Sequence, residues 1–219
     1  GESGCGKSIT ARSILQIIDR PGQIVGGQVK FSPNGVDGLN LLDLEPNGKE
    51  IRSIRGGEIS MIFQEPMTSF SPVHTFGNQI IEAIRLHSSL EQKEAYDLAV
   101  DWMRRVGIPS PEQRMSEYAY QFSGGQRQRA MIAMALCTEP SILIADEPTT
   151  ALDVTTQAQI LDILQTLQKQ NDMSIIFITH DLGVIAEVAD VVAVMYLGKV
   201  VEMGPVESIF SSPKHPYTK

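Results

Sequence analysis

The chain has 219 residues, of which 42% are hydrophobic and 20% are charged, and its formal net charge is −8. This length suits one compact globular unit with room for an inserted subdomain, and the acidic charge disfavours wholesale binding to nucleic acid or to anionic membranes. No apolar run approaches the roughly 20 residues that span a bilayer, and the first residues do not resemble a signal peptide, so we expect a cytosolic chain.

Cys5 and Cys137 lack the spacing of a disulfide framework or a zinc site and are expected to be free thiols.

The chain opens on a phosphate-binding pattern. Residues 1–8, GESGCGKS, fit G-x-x-x-x-G-K-[ST], in which glycines let backbone N–H groups surround a phosphate at the positive end of the following helix. Lys7 is expected to reach the β- and γ-phosphates, and Ser8 to bind Mg²⁺. The alternative is an ordinary glycine-rich turn before a helix. Because the pattern normally follows a strand and no initiator Met precedes it, we expect the sequence to be a fragment.

Residue periodicity predicts the elements of the first half. A helix is predicted over residues 7–19, followed by a short strand over residues 26–31 and a buried strand over residues 59–63. Apolar residues then recur at helical spacing, so residues 75–121 are predicted to be mainly helical, with a break at residues 107–109.

The residue pattern in the second half of the chain predicts an α/β fold. A helix over residues 124–138 precedes an apolar strand over residues 142–145, and a helix over residues 155–169 precedes a strand over residues 174–179. Apolar strands bounded by helices favour a mostly parallel sheet that is covered on both faces.

The last predicted element is a β-hairpin. Residues 191–196 and 199–203 read as its two strands, and Leu197-Gly198 reads as the turn between them.

Two carboxylates follow the apolar strand at residues 142–145. Asp146 stands where P-loop nucleotide hydrolases carry a metal-binding Asp of the Walker B kind, and the adjacent Glu147 could polarise an attacking water. Taken alone, Asp-Glu-Pro after a strand is more often a solvated turn. The phosphate-binding pattern upstream favours the catalytic interpretation.

Residues 122–126, FSGGQ, resemble the LSGGQ signature motif of the ABC ATPase family, with Phe122 in place of Leu. Small residues at a helix start can present backbone N–H groups and a serine hydroxyl to an anion, although an ordinary Ser N-cap is the alternative. Further motifs follow in the family's order. Gln64 resembles the Q-loop glutamine, residues 151–153 resemble the D-loop, and His180 resembles the switch histidine.

This resemblance implies a fold and a domain division. The fold would be a P-loop NTPase core of the RecA-like kind with a mostly parallel sheet, an inserted α-helical subdomain and missing N-terminal strands. The nucleotide-binding core is expected over residues 1–64 and 124–209, and the helical and signature subdomain over residues 65–123. Residues 210–219 would begin a C-terminal extension.

The resemblance also implies the residues of a site that hydrolyses ATP with Mg²⁺. The catalytic residues would be Lys7, Gln64, Glu147 and His180, and the metal ligands Ser8, Gln64 and Asp146. The remaining expected contacts to the nucleotide lie in the phosphate loop, the signature and the D-loop: Gly1, Ser3, Gly4, Cys5, Gly6, Lys7, Ser8, Ile9, Ser123, Gly124, Gly125, Gln126 and Asp153.

A closer resemblance is to the ATPases of oligopeptide and dipeptide importers. It rests on MIFQEPMTS at residues 61–69, IADEPTTALDV at residues 144–154 and HPYT at residues 215–218. FSP at residues 70–72 departs from the more usual Leu-Asn-Pro, and Thr156 stands where Ile is common. These departures leave the solute open, because related ATPases also serve nickel and oligosaccharide importers.

The importer resemblance implies partners and a location. The partners would be a second ABC ATPase subunit, either a copy or a paralogue, two integral membrane permease subunits and, indirectly, an extracytoplasmic solute-binding protein. The chain would lie at the cytoplasmic face of the inner membrane as a peripheral subunit, with its permease contacts within residues 65–90.

Two other functions are less favoured. A soluble ABC ATPase acting on nucleic acid or ribosomes fits poorly, because the helical section lacks long heptad arms and interleaved zinc cysteines and the sequence contains no second cassette. No nucleic-acid partner is therefore expected. A small-molecule kinase would have no reason to carry residues 123–126.

Overall fold

The computed structural model describes residues 4–33, 38–64, 69–150 and 152–219. It divides into two compact units, the first formed by residues 1–48 and 177–219 and the second by residues 49–176. The predicted division at residues 64, 123 and 209 stays a prediction.

The described residues form both helices and short strands, as the α/β prediction requires. The helices are α1 (Lys7–Ile14), α2 (Lys49–Ile54), α3 (Phe76–His87), α4 (Gln92–Arg105), α5 (Pro111–Arg114), α6 (Gly124–Leu136), α7 (Val154–Asn171), α8 (Leu182–Val188) and α9 (Val206–Ser211). The strands are β1 (Lys30–Phe31), β2 (Leu39–Asn40), β3 (Ile59–Ile62), β4 (Ile142–Asp146), β5 (Ser174–Ile178), β6 (Val191–Tyr196) and β7 (Lys199–Pro205).

Helix α1 is shorter than the helix predicted over residues 7–19. It ends at Ile14 because Gln16 has a φ of 51°, in the left-handed region, which stops the helical path. The Gln16 side-chain amide donates hydrogen bonds to the backbone carbonyls of Leu41 and Leu44, and these bonds hold the residue in its unusual conformation. A tertiary contact from 25 residues away therefore sets the end of this helix.

The central sheet of the second unit is built on a parallel pair. Strands β3, β4 and β5 form a three-stranded sheet in that order, and β3 pairs in parallel with β4 from Ile59 opposite Ile142 to Ile62 opposite Ala145. All four residues of β3 are buried, as are the last four of β4. Their apolar runs, covered on both faces, are typical of parallel strands.

The helical section predicted over residues 75–121 consists of α3, α4, the short α5 and a 3₁₀ turn. Thr75 caps α3, and Glu91 and Glu94 form a capping box at the start of α4. Each cap satisfies N–H groups that have no partner inside the helix.

The core of this section lies between α3, α4 and α6. Its largest buried side chains include Trp102, Phe76, Met103 and Ile80. Arg129 on α6 ties this section to its neighbours, since its guanidinium donates to the Val106 carbonyl at 2.7 Å and to Gln159 Oε1 on α7 at 2.8 Å.

In the first unit, β6 and β7 form the predicted hairpin, although β7 extends two residues further than expected, to Pro205. Leu197 and Gly198 at the turn both have positive φ, 46° and 77°, which matches a tight two-residue loop. The register shifts between Val194 and Met195, so the hairpin carries a β-bulge.

The two cysteines are free, as predicted, and both are buried. Burial raises the pKa of the Cys137 thiol to about 12, so this thiol stays protonated at physiological pH. No helix in the described part of the chain combines the length and the apolar character needed to cross a bilayer.

We predict that Trp102→Ala lowers the free energy of unfolding by about 3–5 kcal/mol, because the indole is 0% exposed and its removal leaves a cavity. Urea unfolding followed by circular dichroism measures the loss, since the substitution removes the only tryptophan. Trp102→Phe, which fills part of the cavity, should cost less. A loss below about 1 kcal/mol for the Ala variant would show that the site is not a packed core.

Candidate functional site

The phosphate loop lies in the first unit, and its described part begins at Gly4. Gly4 and Gly6 have φ values of 80° and 98°, which glycine adopts without the steric penalty of a Cβ atom. Gly6 is the N-cap of α1 but provides no side-chain cap, and the first turn of α1 contains no acidic residue. A helix start of this kind, with no side-chain cap and no carboxylate in its first turn, suits an anion. Gly1 and Ser3, also predicted to contact the nucleotide, lie outside the described residues.

Lys7 opens α1 and keeps its ammonium beside the loop. Its Nζ lies 3.7 Å from the Sγ of Cys5, whose side chain is buried beneath the loop residues. Ser8 is partly buried on the same turn, whereas Ile9 is 53% exposed. The loop thus combines backbone donors, a cation and a hydroxyl within five residues, the combination that phosphate binding requires.

His180, in the same unit, is exposed just after β5. The residues on either side fix its backbone, since the Asp181 N–H donates to Thr179 Oγ1 at 3.0 Å. The Asp181 carboxylate in turn caps α8 by accepting from the N–H groups of Gly183 and Val184. His180 therefore stands on a short, well-anchored turn.

Gln64, Asp146 and Glu147 lie in the second unit, after the carboxyl ends of β3 and β4. Gln64 Nε2 donates to Glu147 Oε2 at 3.1 Å, and Thr150 Oγ1 donates to the same oxygen at 2.9 Å. Glu147 has a φ of 47°, a left-handed conformation that costs a non-glycine residue on the order of 1–3 kcal/mol. A carboxylate held by two donors on a strained backbone is typical of a functional position.

Asp146 ends β4 and is only 1% exposed. The described residues contain no cluster of three or more His, Cys, Asp or Glu side chains arranged to hold a metal ion. Magnesium, however, needs only one or two carboxylates when phosphate oxygens and water complete its shell. The carboxylate of Asp146, the hydroxyl of Ser8 and the amide oxygen of Gln64 are hard oxygen donors, so their chemistry fits Mg²⁺.

The signature residues begin α6 in the second unit. Ser123 and Gln126 form a capping box, in which Ser123 Oγ accepts from the Gln126 N–H at 3.3 Å and Gln126 Oε1 accepts from the Ser123 N–H at 3.0 Å. The Ser N-cap considered as the alternative is therefore present. It leaves the serine hydroxyl proton free to be donated, because a hydroxyl accepts and donates independently. Gly124 is exposed, and a Cβ atom there would meet nothing within 4 Å.

Phe122, which departs from the signature consensus, is a core residue. It is 3% exposed, its ring lies 5.5 Å from that of Phe76, and the Arg114 guanidinium lies 5.7 Å from its ring centre. A large apolar side chain at this position anchors the start of α6 to α3. The side chain is therefore directed into the core rather than towards a ligand at the helix start.

Asp153, the predicted D-loop residue, is the N-cap of α7. Its carboxylate accepts from the Thr156 N–H at 3.0 Å and from the Thr156 hydroxyl at 2.7 Å, and these bonds lower the pKa of Asp153. The pKa of Asp153 is lower in the folded state than in the unfolded state. The stabilisation that this cap contributes is therefore complete above the ordinary pKa of Asp, and it is lost as the pH falls through the lowered pKa of Asp153.

Thr156 also contacts the signature, which the sequence interpretation did not identify. A Cβ atom built on Gly125 would lie 2.9 Å from Thr156 Cγ2, so a larger residue there would force Thr156 to move. One threonine thus joins the signature to the D-loop within the same chain. The sequence contained a local signal for the cap, because a hydroxyl three residues after an Asp N-cap is well placed to donate to its carboxylate. It contained no signal for the contact between Thr156 and Gly125. Thr150, the second donor to Glu147, was likewise missed.

We predict that Thr156→Val raises the pKa of Asp153 towards its ordinary value, because Val keeps the methyl group against Gly125 but removes the hydroxyl donor. Thr156→Ser keeps the donor and should leave this pKa low. Carboxyl-detected NMR titration measures both values. Equal pKa values for Asp153 in the two variants would mean that the hydroxyl is not the main cause of the lowered pKa.

Comparison with known proteins identifies the family. Residues 1–150 match the family described as ABC transporter. The oligopeptide transport ATP-binding protein OppD of Bacillus subtilis is 52% identical over 219 residues, which are 100% of this chain and 59% of the relative. The dipeptide transport ATP-binding protein DppD of the same organism is 51% identical over 220 residues, 100% of this chain and 64% of the relative. The chain thus spans about three fifths of the length of these relatives, and the predicted resemblance to them is confirmed.

Solved structures confirm the predicted fold class. The dimeric structure of MJ0796, a bacterial ABC transporter cassette, superposes with a TM-score of 0.79 at 25% identity, over 94% of this chain and 83% of that one. CbiO1 of Clostridium perfringens, part of the transporter complex cbiONQ, gives a TM-score of 0.76 at 26% identity, over 97% and 77% of the two chains. With its phosphate loop, its Glu147 cluster and its signature helix, the chain belongs to the ABC transporter family.

Proposed function

We propose that the chain is the ATP-hydrolysing part of an ABC importer that takes up dipeptides and oligopeptides through a membrane permease. The observation that carries this proposal is the Glu147 carboxylate, which Gln64 and Thr150 hold immediately after the buried Asp146. A positioned carboxylate next to a metal-binding one is what hydrolysis of a phosphoanhydride by water requires. The start of α1 supports the same reaction, because a helix N-terminus with no side-chain cap and no acidic residue in its first turn suits a phosphate.

In the proposed mechanism, the loop from Gly4 to Ser8 binds the phosphates through its N–H groups, and Lys7 offsets the charge on the γ-phosphoryl group as it separates. Glu147 orients the attacking water and accepts its proton. Gln64 holds the Glu147 carboxylate in place, and His180 contacts the γ-phosphate from its anchored turn. Positioning and electrostatics thus supply most of the catalysis.

Asp146, Ser8 and Gln64 would hold Mg²⁺. When bound, the metal would neutralise charge on the β- and γ-phosphate oxygens. The burial of Asp146 supports this assignment, because a buried carboxylate at a strand end gains most from a cation partner.

The signature of one chain would meet the nucleotide held by a second ATPase subunit. Ser123 and Gly124 are exposed at the start of α6, so the Ser123 hydroxyl and the Gly124 N–H can face a neighbouring molecule, whereas the Ser123 N–H is bonded to Gln126 Oε1. Asp153 would lie at the same junction, and its lowered pKa keeps it ionised there. The second subunit can be a copy of this chain or a paralogue.

The solute is inferred from the relatives. The relatives named above carry peptide transport in their names at 51–52% identity. A probable peptide ABC transporter ATP-binding protein of Sinorhizobium fredii is 51% identical over all of this chain and 64% of its own length. We therefore favour peptides over nickel or oligosaccharides. Two permease subunits and an extracytoplasmic binding protein would then select the solute, with this chain at the cytoplasmic face.

We predict that Glu147→Gln lowers the hydrolysis rate by about 10²–10⁴-fold and leaves nucleotide binding intact, because it removes the base but keeps the shape of the side chain. Phosphate release by the assembled transporter measures the rate, and titration with a fluorescent nucleotide measures the affinity. Glu50→Gln, the same change at an exposed position on α2, is the matched control and should be silent. Robust hydrolysis by Glu147→Gln would remove Glu147 from its role.

The transport assignment is tested by purifying the tagged full-length natural chain from its own cells, in detergent with Mg-ATP, and identifying the proteins that accompany it. Two multi-helix permeases and a second ATPase are expected, and the binding protein of the same system would nominate the solute. Recovery with ribosomes or nucleic acid from the soluble fraction would support the soluble ABC ATPase instead.

A further inference from the structure

The turn of the β6–β7 hairpin supports the phosphate loop directly. The Gly198 N–H donates to the Cys5 carbonyl at 3.0 Å, which ties the turn to the middle of the loop. A Cβ atom built on Gly6 would lie 3.7 Å from Gly198 Cα and 3.8 Å from Met195 Cε, so the loop and the hairpin are in close contact at this point. Any shift of the turn would therefore move the Cys5 carbonyl and the N–H groups that follow it.

The hairpin needs support of its own. Strands β6 and β7 form a separate two-stranded sheet, and a two-stranded hairpin in water is marginally stable without further packing. Its turn is open to solvent, with Leu197 77% exposed. The bulge beside Met195 interrupts the regular pairing three residues before Gly198.

Helix α9 packs against the hairpin, with Ile209 beside Gly204, and further support comes from residues 214–218, here called the C-terminal strap. Glu202 on β7 accepts hydrogen bonds from the backbone N–H groups of Lys214 at 2.8 Å and His215 at 3.0 Å. The strap then folds on itself, because His215 Nδ1 accepts from the Tyr217 N–H at 3.1 Å and the His215 carbonyl accepts from the Thr218 N–H. One carboxylate thus fixes the strap to the hairpin.

The pKa of the Glu202 carboxyl is lowered, first by the neighbouring Thr218 hydroxyl and then by the two backbone N–H groups. The Thr218 hydroxyl is buried but does not reach hydrogen-bond geometry with a described partner, so the N–H groups of Lys214 and His215 are the firm contacts. The Glu202 carboxylate, which anchors the strap, therefore stays charged at physiological pH.

Tyr217 of the strap reaches the turn itself. Its ring centre lies 4.4 Å from that of Tyr196, with 33° between the ring planes. Tyr196 is the last residue of β6 and pairs with Lys199 across the two-residue turn. The contacts therefore run without a break within the first unit, from Tyr217 to Tyr196, through the turn of the hairpin and on to the phosphate loop.

We propose that Tyr217 is a positioning residue for nucleotide binding, which it supports through Tyr196 and the Gly198–Cys5 hydrogen bond without touching the nucleotide. The inference rests on the proposed function of the phosphate loop and adds a remote determinant of its affinity. It gives the His-Pro-Tyr-Thr sequence at residues 215–218 a role, namely to hold the hairpin against the loop.

The test compares Tyr217→Ala with Tyr217→Phe in the full-length natural chain, using titration with a fluorescent ATP analogue. An aromatic pair of this kind contributes enough that Tyr217→Ala should weaken nucleotide binding by about 2- to 10-fold. Tyr217→Phe keeps the ring and should bind nucleotide more tightly than Tyr217→Ala. In the assembled transporter, Tyr217→Ala should raise the KM for ATP with kcat unchanged. Tyr96→Ala, which removes a half-exposed tyrosine from α4 in the other unit, is the matched control.

Hydrogen exchange provides a second measurement that needs no nucleotide. The Gly198 amide should exchange faster in Tyr217→Ala than in Tyr217→Phe or Tyr96→Ala, because the hairpin turn loses its support. Unchanged Gly198 exchange, or equal affinities in the Tyr217→Ala and Tyr96→Ala proteins, would overturn the proposal. Should Tyr217→Ala fold poorly, Glu202→Gln takes its place, because it removes the negative charge that holds the strap. Unchanged Gly198 exchange, or an affinity equal to that of Tyr96→Ala, would then overturn the proposal.

Lys7→Ala separates this inference from the proposed function. If Lys7→Ala abolishes nucleotide binding while Tyr217→Ala equals its control, only the role of Tyr217 fails. If the wild type and Lys7→Ala bind nucleotide equally, the phosphate-loop assignment fails, and Gly198 exchange still decides whether the strap supports the hairpin.

Discussion

Four residues of β3 pair in parallel with four residues of β4, and this pairing places the catalytic candidates of the second unit at one edge of the sheet. Gln64 follows β3 by two residues and Glu147 follows β4 by one, so the shared register brings them to 3.1 Å although 83 residues separate them in the chain. A one-residue slip would turn every side chain to the opposite face and separate the pair. Both strands are buried on both faces, so such a slip would be costly because it would place side chains of the wrong size and shape in the packing on each face.

Helix N-termini serve two purposes in this chain. Helix α1 follows Gly6, which provides no side-chain cap, whereas α6 begins with a complete capping box between Ser123 and Gln126. The first arrangement suits tight binding of phosphate within one chain. The second satisfies N–H groups at the helix start within the chain itself, so this start is stable without a ligand.

Support for the site extends well beyond the residues that would touch a nucleotide. Phe122 anchors the signature to α3, Thr156 joins the signature to the D-loop cap, and the strap braces the hairpin beside the phosphate loop. Each contact fixes the backbone of a glycine-rich or exposed segment that has few contacts of its own. This arrangement is physically reasonable, since a site that depends on backbone N–H groups can be precise only if that backbone is held from behind.

The sequence by itself determined the α/β fold class and the longer elements in their order, because hydrophobic periodicity and glycine placement are local properties that each segment carries. The buried strands and the hairpin turn at Leu197-Gly198 were predictable for that reason. The sequence did not predict β2, α2, α8 or α9, which are short. Only the tertiary structure decided where α1 ends, since Gln16 is held by the carbonyls of Leu41 and Leu44. It alone revealed Thr150 as a partner of Glu147, and Tyr217 as a neighbour of Tyr196. These contacts depend on how the backbone folds back on itself, and no pattern of residue types along the chain specifies which side chains meet there.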